Sequence, residues 1–230
     1  MTDIAERFQL VRSQIRHATS IAGRPRNSVR LLAVSKTKSS HDIATLYGLG
    51  QRHFAENYLQ EALQKQQALA GFNITWHFIG PIQSNKTRAL ASHFTWVHSV
   101  DRLKIAERLS EQRPAHLPPL NICLQVNISQ ESNKSGIMLE DLPSLVSSVN
   151  LLPRLRLRGV MAIPAPIVNY HQQRQPYRLL YQAVQQLNNP KLDSFSFGMS
   201  GDLKAAIMEG ATLVRIGTAL FGERDYVQKD

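Results

Sequence analysis

A lysine that ends an apolar segment is the first residue in the sequence whose position suggests chemistry. Lys36 follows the run Leu-Leu-Ala-Val at residues 31–34, which is typical of a short buried strand. Alternate residues of a strand point to the same side, so Lys36 shares a face with Leu32 and Val34. Most lysines are solvated surface residues, but lysine is rarely buried without a partner or a role. Lys36 is therefore a candidate nucleophile.

Arg215 occupies a comparable position in the last apolar segment, where it shares a face with Leu213. If the two segments are neighbouring strands of a closed barrel, Lys36 and Arg215 lie side by side at its mouth. Neither has an acidic residue next to it in the sequence. A bound anion would neutralise the two cations, and a neighbouring cation favours the uncharged, nucleophilic amine of a lysine.

Donors for such an anion follow the last two predicted strands. They are hydroxyl and amide groups at Ser200, Gly217 and Thr218, in the region where β/α barrels commonly bind phosphate. A phosphorylated aldehyde that forms a Schiff base with Lys36 would satisfy all of these groups. Pyridoxal 5′-phosphate (PLP) is such a molecule.

Eight apolar or β-favouring segments must position these residues, and helical patterns lie between the segments. The segments begin near residues 31, 52, 75, 95, 120, 157, 194 and 212. This alternation predicts an α/β fold, a (β/α)8 TIM barrel, whose usual size of about 250 residues matches one PLP-binding domain over residues 1–230. Apolar residues at intervals of three and four, ended by Gly23, predict an extra helix over residues 3–22 before the first strand.

Three other nucleotide-binding or catalytic motifs are incomplete. An open, doubly wound sheet would carry a glycine-rich turn after its first strand, and residues 35–40 contain no glycine. Residues 80–87 differ from a phosphate loop at one position, but Pro81 lacks an amide hydrogen and Asn85 replaces a glycine. Residues 198–202 approach a hydrolase nucleophile elbow, but Asp202 replaces its last glycine and no histidine follows His171.

Composition limits the other function classes. The net charge of +10 suggests nucleic acid, but the basic residues are dispersed and are not interleaved with aromatic residues, so we predict a solvated basic surface. Apolar stretches are short and the first residues do not form a secretion signal, so we expect no membrane span and a cytoplasmic location. The single cysteine, Cys123, and the spacing of the histidines predict neither a disulfide nor a metal site.

Seven segments, in this order along nearly the whole chain, resemble the pyridoxal phosphate homeostasis proteins. They are residues 32–38, 54–58, 77–86, 134–136, 159–164, 198–202 and 214–218. The resemblance implies an alanine-racemase-like barrel with an extra N-terminal helix. It implies that Lys36 holds PLP covalently, that Arg215 faces the pyridine nitrogen and that Asn57 lies beside the cofactor. The phosphate would be held around the donor residues that follow the last two strands, Ser200, Gly217 and Thr218.

The predicted function is that of a non-catalytic protein that buffers, carries and delivers PLP, with effects on amino-acid metabolism. An arginine only donates hydrogen bonds, so a ring nitrogen beside it stays unprotonated and the cofactor is a poor electron sink. Alanine racemases also use a tyrosine from a second domain of a partner subunit, for which 230 residues leave no room. We expect a monomer that supplies apo forms of PLP-dependent enzymes.

Release of PLP from Lys36 could use other amines. Lys38 and Lys134 are candidate secondary PLP sites or relay lysines, although both positions also fit solvated charges at the rim. The first alternative function is a small PLP-dependent amino-acid racemase that uses Tyr58 or another rim group as its base. The second is a module that binds phosphate without a Schiff base.

Overall fold

Eight parallel strands close into a barrel in chain order in the computed structural model, which describes residues 3–223. The strands are β1 (Arg30–Val34), β2 (His53–Glu56), β3 (Thr75–Phe78), β4 (Trp96–Val100), β5 (Leu120–Val126), β6 (Leu155–Ala162), β7 (Ser194–Ser196) and β8 (Leu213–Ile216). This arrangement confirms the predicted α/β barrel. The predicted domain, residues 1–230, extends beyond the described residues at both ends.

Helices connect the strands and cover the outside of the barrel. They are α1 (Ile4–Ile21), α2 (Ser40–Gly48), α3 (Leu59–Ala68), α4 (Thr87–His93), α5 (Leu103–Gln112), α6 (Leu142–Val149), α7 (Tyr170–Gln186), α8 (Leu203–Met208) and α9 (Thr218–Phe221). Short 3-10 turns lie at Ser84–Lys86 and Leu139–Asp141. Within residues 3–223, no helix combines the length and the apolar character that crossing a membrane would require.

The extra amino-terminal helix is confirmed as α1. Its apolar side, with Phe8, Val11 and Ile15, is buried, and the helix packs against α8 and α9. Burying each of these side chains contributes about 1.5–3 kcal/mol. Gly23 has a φ of 64°, a left-handed conformation that glycine adopts without strain, so the chain turns away there.

Apolar side chains fill the barrel interior as a layer separate from the core between strands and helices. The layer consists of Leu32, Val34, Ala55, Trp96, Cys123, Met161 and Leu213. Leu32, Val34 and Leu213 therefore point inward, as the alternation along the strands predicts. Burial raises the pKa of Cys123 to about 12, so its thiol is protonated at neutral pH and belongs to the core.

The backbone of β6 passes close to β7 at Gly159. A Cβ atom at this position would lie 1.9 Å from the carbonyl oxygen of Ser194, and φ is +156°. We expect Gly159→Ala to lower the free energy of unfolding by about 2–4 kcal/mol, because the strands must separate. Denaturant unfolding measures this change. The control is Gly71→Ala, whose Cβ would meet nothing within 4 Å, and equal effects of the two substitutions would contradict the prediction.

Candidate functional site

A cavity of about 300 Å³ opens at the carboxyl ends of the strands. It is lined by Val34, Lys36, Asn57, Ile79, Ile163, Met199, Ser200, Gly201, Arg215, Gly217 and Thr218. All six residues predicted to bind the cofactor are among them. No carboxylate belongs to this set of described lining residues, so the cavity walls favour an anion.

Pairing between the first and last strands brings Lys36 and Arg215 to this cavity. In the register of β1 with β8, Leu32 lies opposite Arg215 and Ala33 lies opposite Ile216. Lys36 follows the end of β1 and is half-buried. Lys36 and Arg215 therefore lie at the same mouth of the closed barrel.

The guanidinium group of Arg215 is buried and reaches across β7 to β6. Its Nη1 atom donates to the carbonyl oxygen of Ser196 and to the Ser196 hydroxyl, 2.9 Å away, and its Nη2 atom donates to the carbonyl oxygen of Ala162 at 2.9 Å. Burial lowers the pKa of Arg215. All three partners accept hydrogen bonds through neutral oxygen atoms, so Arg215 enters the cavity as a fixed donor.

The turn that carries Lys36 is anchored by a buried ion-pair network below it. Lys65 donates to Glu56 at 2.8 Å, to Glu61 at 2.5 Å and to the carbonyl oxygen of Ser35 at 2.7 Å. The amide of Thr37, whose φ is 63°, donates to Glu61 at 2.5 Å. The residues on both sides of Lys36 are thereby held, which limits the directions in which its side chain can leave the backbone.

Glu56 is the most deeply buried member of this network. Its side chain has no exposure, and it accepts a hydrogen bond of 2.6 Å from the Ser35 hydroxyl. Burial raises the pKa of Glu56, whereas the charge of Lys65 and the hydrogen bonds from Lys65 and Ser35 act in the opposite direction. Removing Lys65 alone would leave a buried carboxylate without its counterion, a change that typically costs about 3–5 kcal/mol.

Asn57 presents an unused acceptor in the cavity wall. Its Oδ1 atom is buried and has no hydrogen-bond partner within the part of the chain that the structure describes. The chain after β3 passes so close that a Cβ at Gly80 would lie 2.0 Å from the Asn57 carbonyl oxygen. Only glycine fits there, and this contact fixes the position of the asparagine backbone.

Asp202 clamps the turn that bears Ser200. It accepts hydrogen bonds of 2.6 Å from the amide of Met199 and from the hydroxyl of Tyr177. A Cβ at Gly198, whose φ is +82°, would lie 2.5 Å from the Cβ of Ala206. The residue that makes the sequence unlike a hydrolase elbow therefore has a structural function, which is to hold the turn over the cavity.

Gly217 follows β8 and precedes the short helix α9, which begins at Thr218. A Cβ at Gly217 would lie 3.3 Å from the carbonyl oxygen of Val34, so a glycine lets β8 approach the end of β1. The first amide groups of a helix have no acceptor within that helix. Gly217 and Thr218 line the cavity together with Lys36 and Ser200.

Three histidines inside the barrel form a chain that the sequence analysis did not detect. His53 Nδ1 lies 3.0 Å from His77 Nε2, His77 Nδ1 lies 2.9 Å from His98 Nε2, and His98 Nδ1 lies 2.9 Å from the Ser196 hydroxyl. The same hydroxyl accepts from Arg215. The only signal in the sequence is one histidine in each of three successive strands, β2, β3 and β4.

The donor at the end of this chain favours one direction of hydrogen bonding. Because Arg215 can only donate to Ser196, the Ser196 hydroxyl can direct its own hydrogen to Nδ1 of His98. Each ring then carries its hydrogen on Nε2 and passes a hydrogen bond to the next ring, ending at His53. This assignment follows from the network, and it uses each donor and acceptor between the rings once.

Lys38 and Lys134 lie at the rim and do not line the cavity. Lys38 donates to the carbonyl oxygen of Glu223 at 2.6 Å. Lys134 forms an ion pair of 2.5 Å with Glu131, and its amine lies 3.4 Å from the carbonyl oxygen of Ile163. Because Ile163 lines the cavity, Lys134 contacts the cavity wall without lining the cavity itself.

Comparison with known proteins identifies the family. A model of the alanine racemase N-terminal domain matches residues 9–225. The pyridoxal phosphate homeostasis protein of Pseudomonas aeruginosa is 59% identical over 226 residues, which make up 98% of each chain. The chain belongs to the pyridoxal phosphate homeostasis protein family. A member from Escherichia coli K12 is 51% identical over 234 residues that cover both chains completely.

Solved structures of related proteins have the same fold. PipY of Synechococcus elongatus matches with a TM-score of 0.85 without PLP and 0.83 with PLP bound; in both cases the identity is 36%, with coverage of 96% of this chain and 100% of PipY. The alanine racemase of Corynebacterium glutamicum matches with a TM-score of 0.65 at 15% identity, covering 96% of this chain and 62% of the racemase. This family therefore shares the racemase barrel fold.

Because His98 is buried, we expect the free energy of unfolding to fall as the pH is lowered. Burial lowers the pKa of His98 to about 3, whereas a histidine in the unfolded chain titrates near 6.5. As the pH falls below about 6.5, the unfolded state takes up a proton that native His98 does not, so the free energy of unfolding falls by about 1.4 kcal/mol per pH unit for this residue.

Denaturant unfolding of wild type and His98→Gln at several pH values between 6 and 4.5 tests this prediction. We expect the slope of stability against pH to be smaller in the variant by about 1.4 kcal/mol per unit. The carboxylates titrate in both proteins, so their contribution cancels in the difference. Parallel pH profiles would contradict the neutral state of His98.

Proposed function

We propose that the protein binds PLP covalently through Lys36 in this cavity, and that it buffers, carries and delivers the cofactor without catalysing a reaction of its own. One observation carries the proposal. Lys36, Asn57, Ser200 and Arg215 line one cavity with Gly217 and Thr218, and no described carboxylate lines it with them. The homeostasis name of the relatives and the PLP bound in PipY support the same assignment.

The residues of the cavity fit PLP by charge and by hydrogen-bonding capacity. Ser200, Thr218 and the amides at Gly217 can hold a phosphate dianion, and the charge of Arg215 adds to their attraction. The buried Oδ1 atom of Asn57, which lacks a partner among the described residues, can accept a hydrogen bond from the ring hydroxyl. PLP supplies an aldehyde that captures amines, and it becomes an effective electron sink when its ring nitrogen is protonated.

Arg215 argues against catalysis. It cannot give up its proton, and its position is fixed by acceptors from Ser196 and Ala162. If the ring nitrogen of bound PLP faced this donor, it would accept a hydrogen bond and remain unprotonated. Arg215 would then hold the cofactor in a form that stabilises substrate carbanions weakly.

The described lining of the cavity offers no second base. Apart from Lys36, its residues carry amide, hydroxyl, guanidinium, thioether or apolar side chains or are glycines, and none of these is a customary general base. Tyr58, the base considered for a racemase, is 57% exposed and does not line the cavity. These two facts favour a carrier over the alternative racemase, which needs bases on both faces of its substrate.

Further parts of the proposal rest on the sequence. They are a single domain over residues 1–230, a monomeric state, a cytoplasmic location and apo PLP-dependent enzymes as recipients. For release, we propose that Lys38 or Lys134 receives PLP from Lys36 before the cofactor leaves. Both amines lie at the rim, and contacts of Lys134 reach the cavity wall at Ile163.

Transfer and exchange measurements distinguish a carrier from an enzyme. PLP-loaded protein should restore the activity of an apo PLP-dependent enzyme, and the loaded protein should show no exchange of the α-proton of alanine, serine or other amino acids with deuterated water. Exchange of the α-proton is measured by NMR, with an alanine racemase as the positive control. Sustained α-proton exchange or racemisation would overturn the carrier assignment.

Substitutions of the rim lysines test the release route. We expect Lys38→Ala or Lys134→Ala to slow transfer to the apo-enzyme, because an intermediate amine is lost. Lys191→Ala is the matched control, since Lys191 is exposed and precedes β7 at the other end of the barrel. The transfer rate is measured as the recovery of apo-enzyme activity. Identical rates in the three variants and wild type would contradict a role of Lys38 or Lys134 in release.

A further inference from the structure

A second and larger cavity, of about 630 Å³, lies at the amino-terminal end of the barrel. It is lined by Phe8, Arg12, Ile15, Arg16, Arg26, Asn27, Val29, Arg30, Leu31, Gly50, Gln51, Arg52 and His53. Arg30 begins β1 and His53 begins β2. The cavity is therefore at the opposite end of the strands from Lys36, between the barrel and α1.

Five arginines from different parts of the chain converge on this cavity. Arg12 and Arg16 belong to α1, Arg30 begins β1, and Arg26 and Arg52 lie in the segments before β1 and β2. The described lining contains no aspartate or glutamate. Positive groups around a concave, low-dielectric wall concentrate their potential on its centre.

The ion pairs among the described residues lie elsewhere. Within residues 3–223, no ion pair includes Arg12, Arg16, Arg26 or Arg30. By contrast, arginines elsewhere on the surface do pair, as Arg158 does with Asp193 at 2.7 Å. Part of the positive charge that lies outside the cofactor site is thus concentrated in this second cavity.

His53 responds to this charge. It is half-buried, and its pKa is lowered to about 4, first by burial and then by the charge of Arg30. A neutral histidine at the wall leaves its Nε2–H available as a donor toward the cavity when the chain of rings is hydrogen-bonded in the direction described above. A ligand would therefore meet guanidinium groups and a neutral donor together.

The floor of the cavity is held in place by hydrogen bonds. The buried side-chain amide of Gln51 donates to the carbonyl oxygen of Leu31 at 2.9 Å and to that of His53 at 2.6 Å. The guanidinium of Arg52 lies 3.8 Å from the centre of the Tyr47 ring and donates to the Tyr47 carbonyl oxygen at 2.7 Å. A donor fixed in this way loses less entropy on binding a ligand.

We propose that this cavity binds a small molecule that carries two or more linked phosphate groups. Five guanidinium groups exceed what one phosphate dianion neutralises, and the volume lies within the range of small-molecule sites. An adjoining cavity of about 370 Å³ shares Arg16 and Arg26 with this one and is also lined by Arg24 and His17. The two cavities together are long enough to hold a chain of linked phosphates. Among the described lining residues the aromatic rings are those of Phe8, which is 1% exposed, and of the half-buried His53, so the cavity lacks the series of exposed rings on which the bases of a nucleic acid stack.

Isothermal titration with inorganic tripolyphosphate tests the site, using the full chain both as purified and after saturation with PLP. We expect saturable binding in both forms, weakening as salt increases. The double substitution Arg12→Gln/Arg30→Gln should reduce affinity on the order of tenfold. The control pair Arg88→Gln/Arg156→Gln removes the same charge from exposed positions elsewhere and should leave affinity within about twofold.

Several outcomes would overturn the proposal. They are an absence of saturable binding, equal affinity in the two double variants, loss of binding when PLP saturates the protein, and tighter binding of a short single-stranded oligonucleotide than of tripolyphosphate. Thermal melting without ligand verifies that each variant is folded. If Arg12→Gln/Arg30→Gln does not fold, Arg16→Gln on the exposed side of α1 replaces it and must show a smaller loss in the same direction. The readout does not depend on PLP chemistry, so it separates this proposal from the proposed function.

Discussion

The parallel pairing of β1 with β8 closes the barrel, and the arrangement of the site depends on it. Leu32 lies opposite Arg215 in this pairing. Lys36, which follows β1, and Arg215, near the end of β8, therefore reach the same mouth of the barrel. Gly217 permits the close approach, because a Cβ there would lie 3.3 Å from the carbonyl oxygen of Val34. Residues that are far apart in sequence thereby line one cavity, and no carboxylate is among its described lining residues.

Buried charged groups hold that cavity in shape, and hydrogen bonds or ion pairs offset part of the cost of burying them. Arg215 donates to oxygens of Ser196 and Ala162, and Lys65 joins Glu56 and Glu61 beneath the turn that carries Lys36. Such groups contribute little net stability compared with apolar packing. Their effect is to restrict the positions available to the two cations that would meet PLP.

Much of this architecture could be predicted from the sequence, because it follows from local periodicity. The apolar segments gave the strands, and alternation along β1 gave the inward face that carries Leu32 and Val34. The histidine chain could not be predicted, because it depends on the register between strands and not on spacing within one. The same holds for Asp202, whose departure from a familiar motif gave no indication that it accepts from Tyr177.

Reduction with borohydride tests whether Lys36 holds PLP covalently. Protein purified with PLP is reduced and digested, and the peptide that carries the pyridoxyl group is identified by mass spectrometry. We expect the label to lie on Lys36, and we expect any label that remains in Lys36→Ala to lie on the rim lysines Lys38 or Lys134. A wild-type protein labelled mainly at another residue, or not labelled at all, would contradict this expectation.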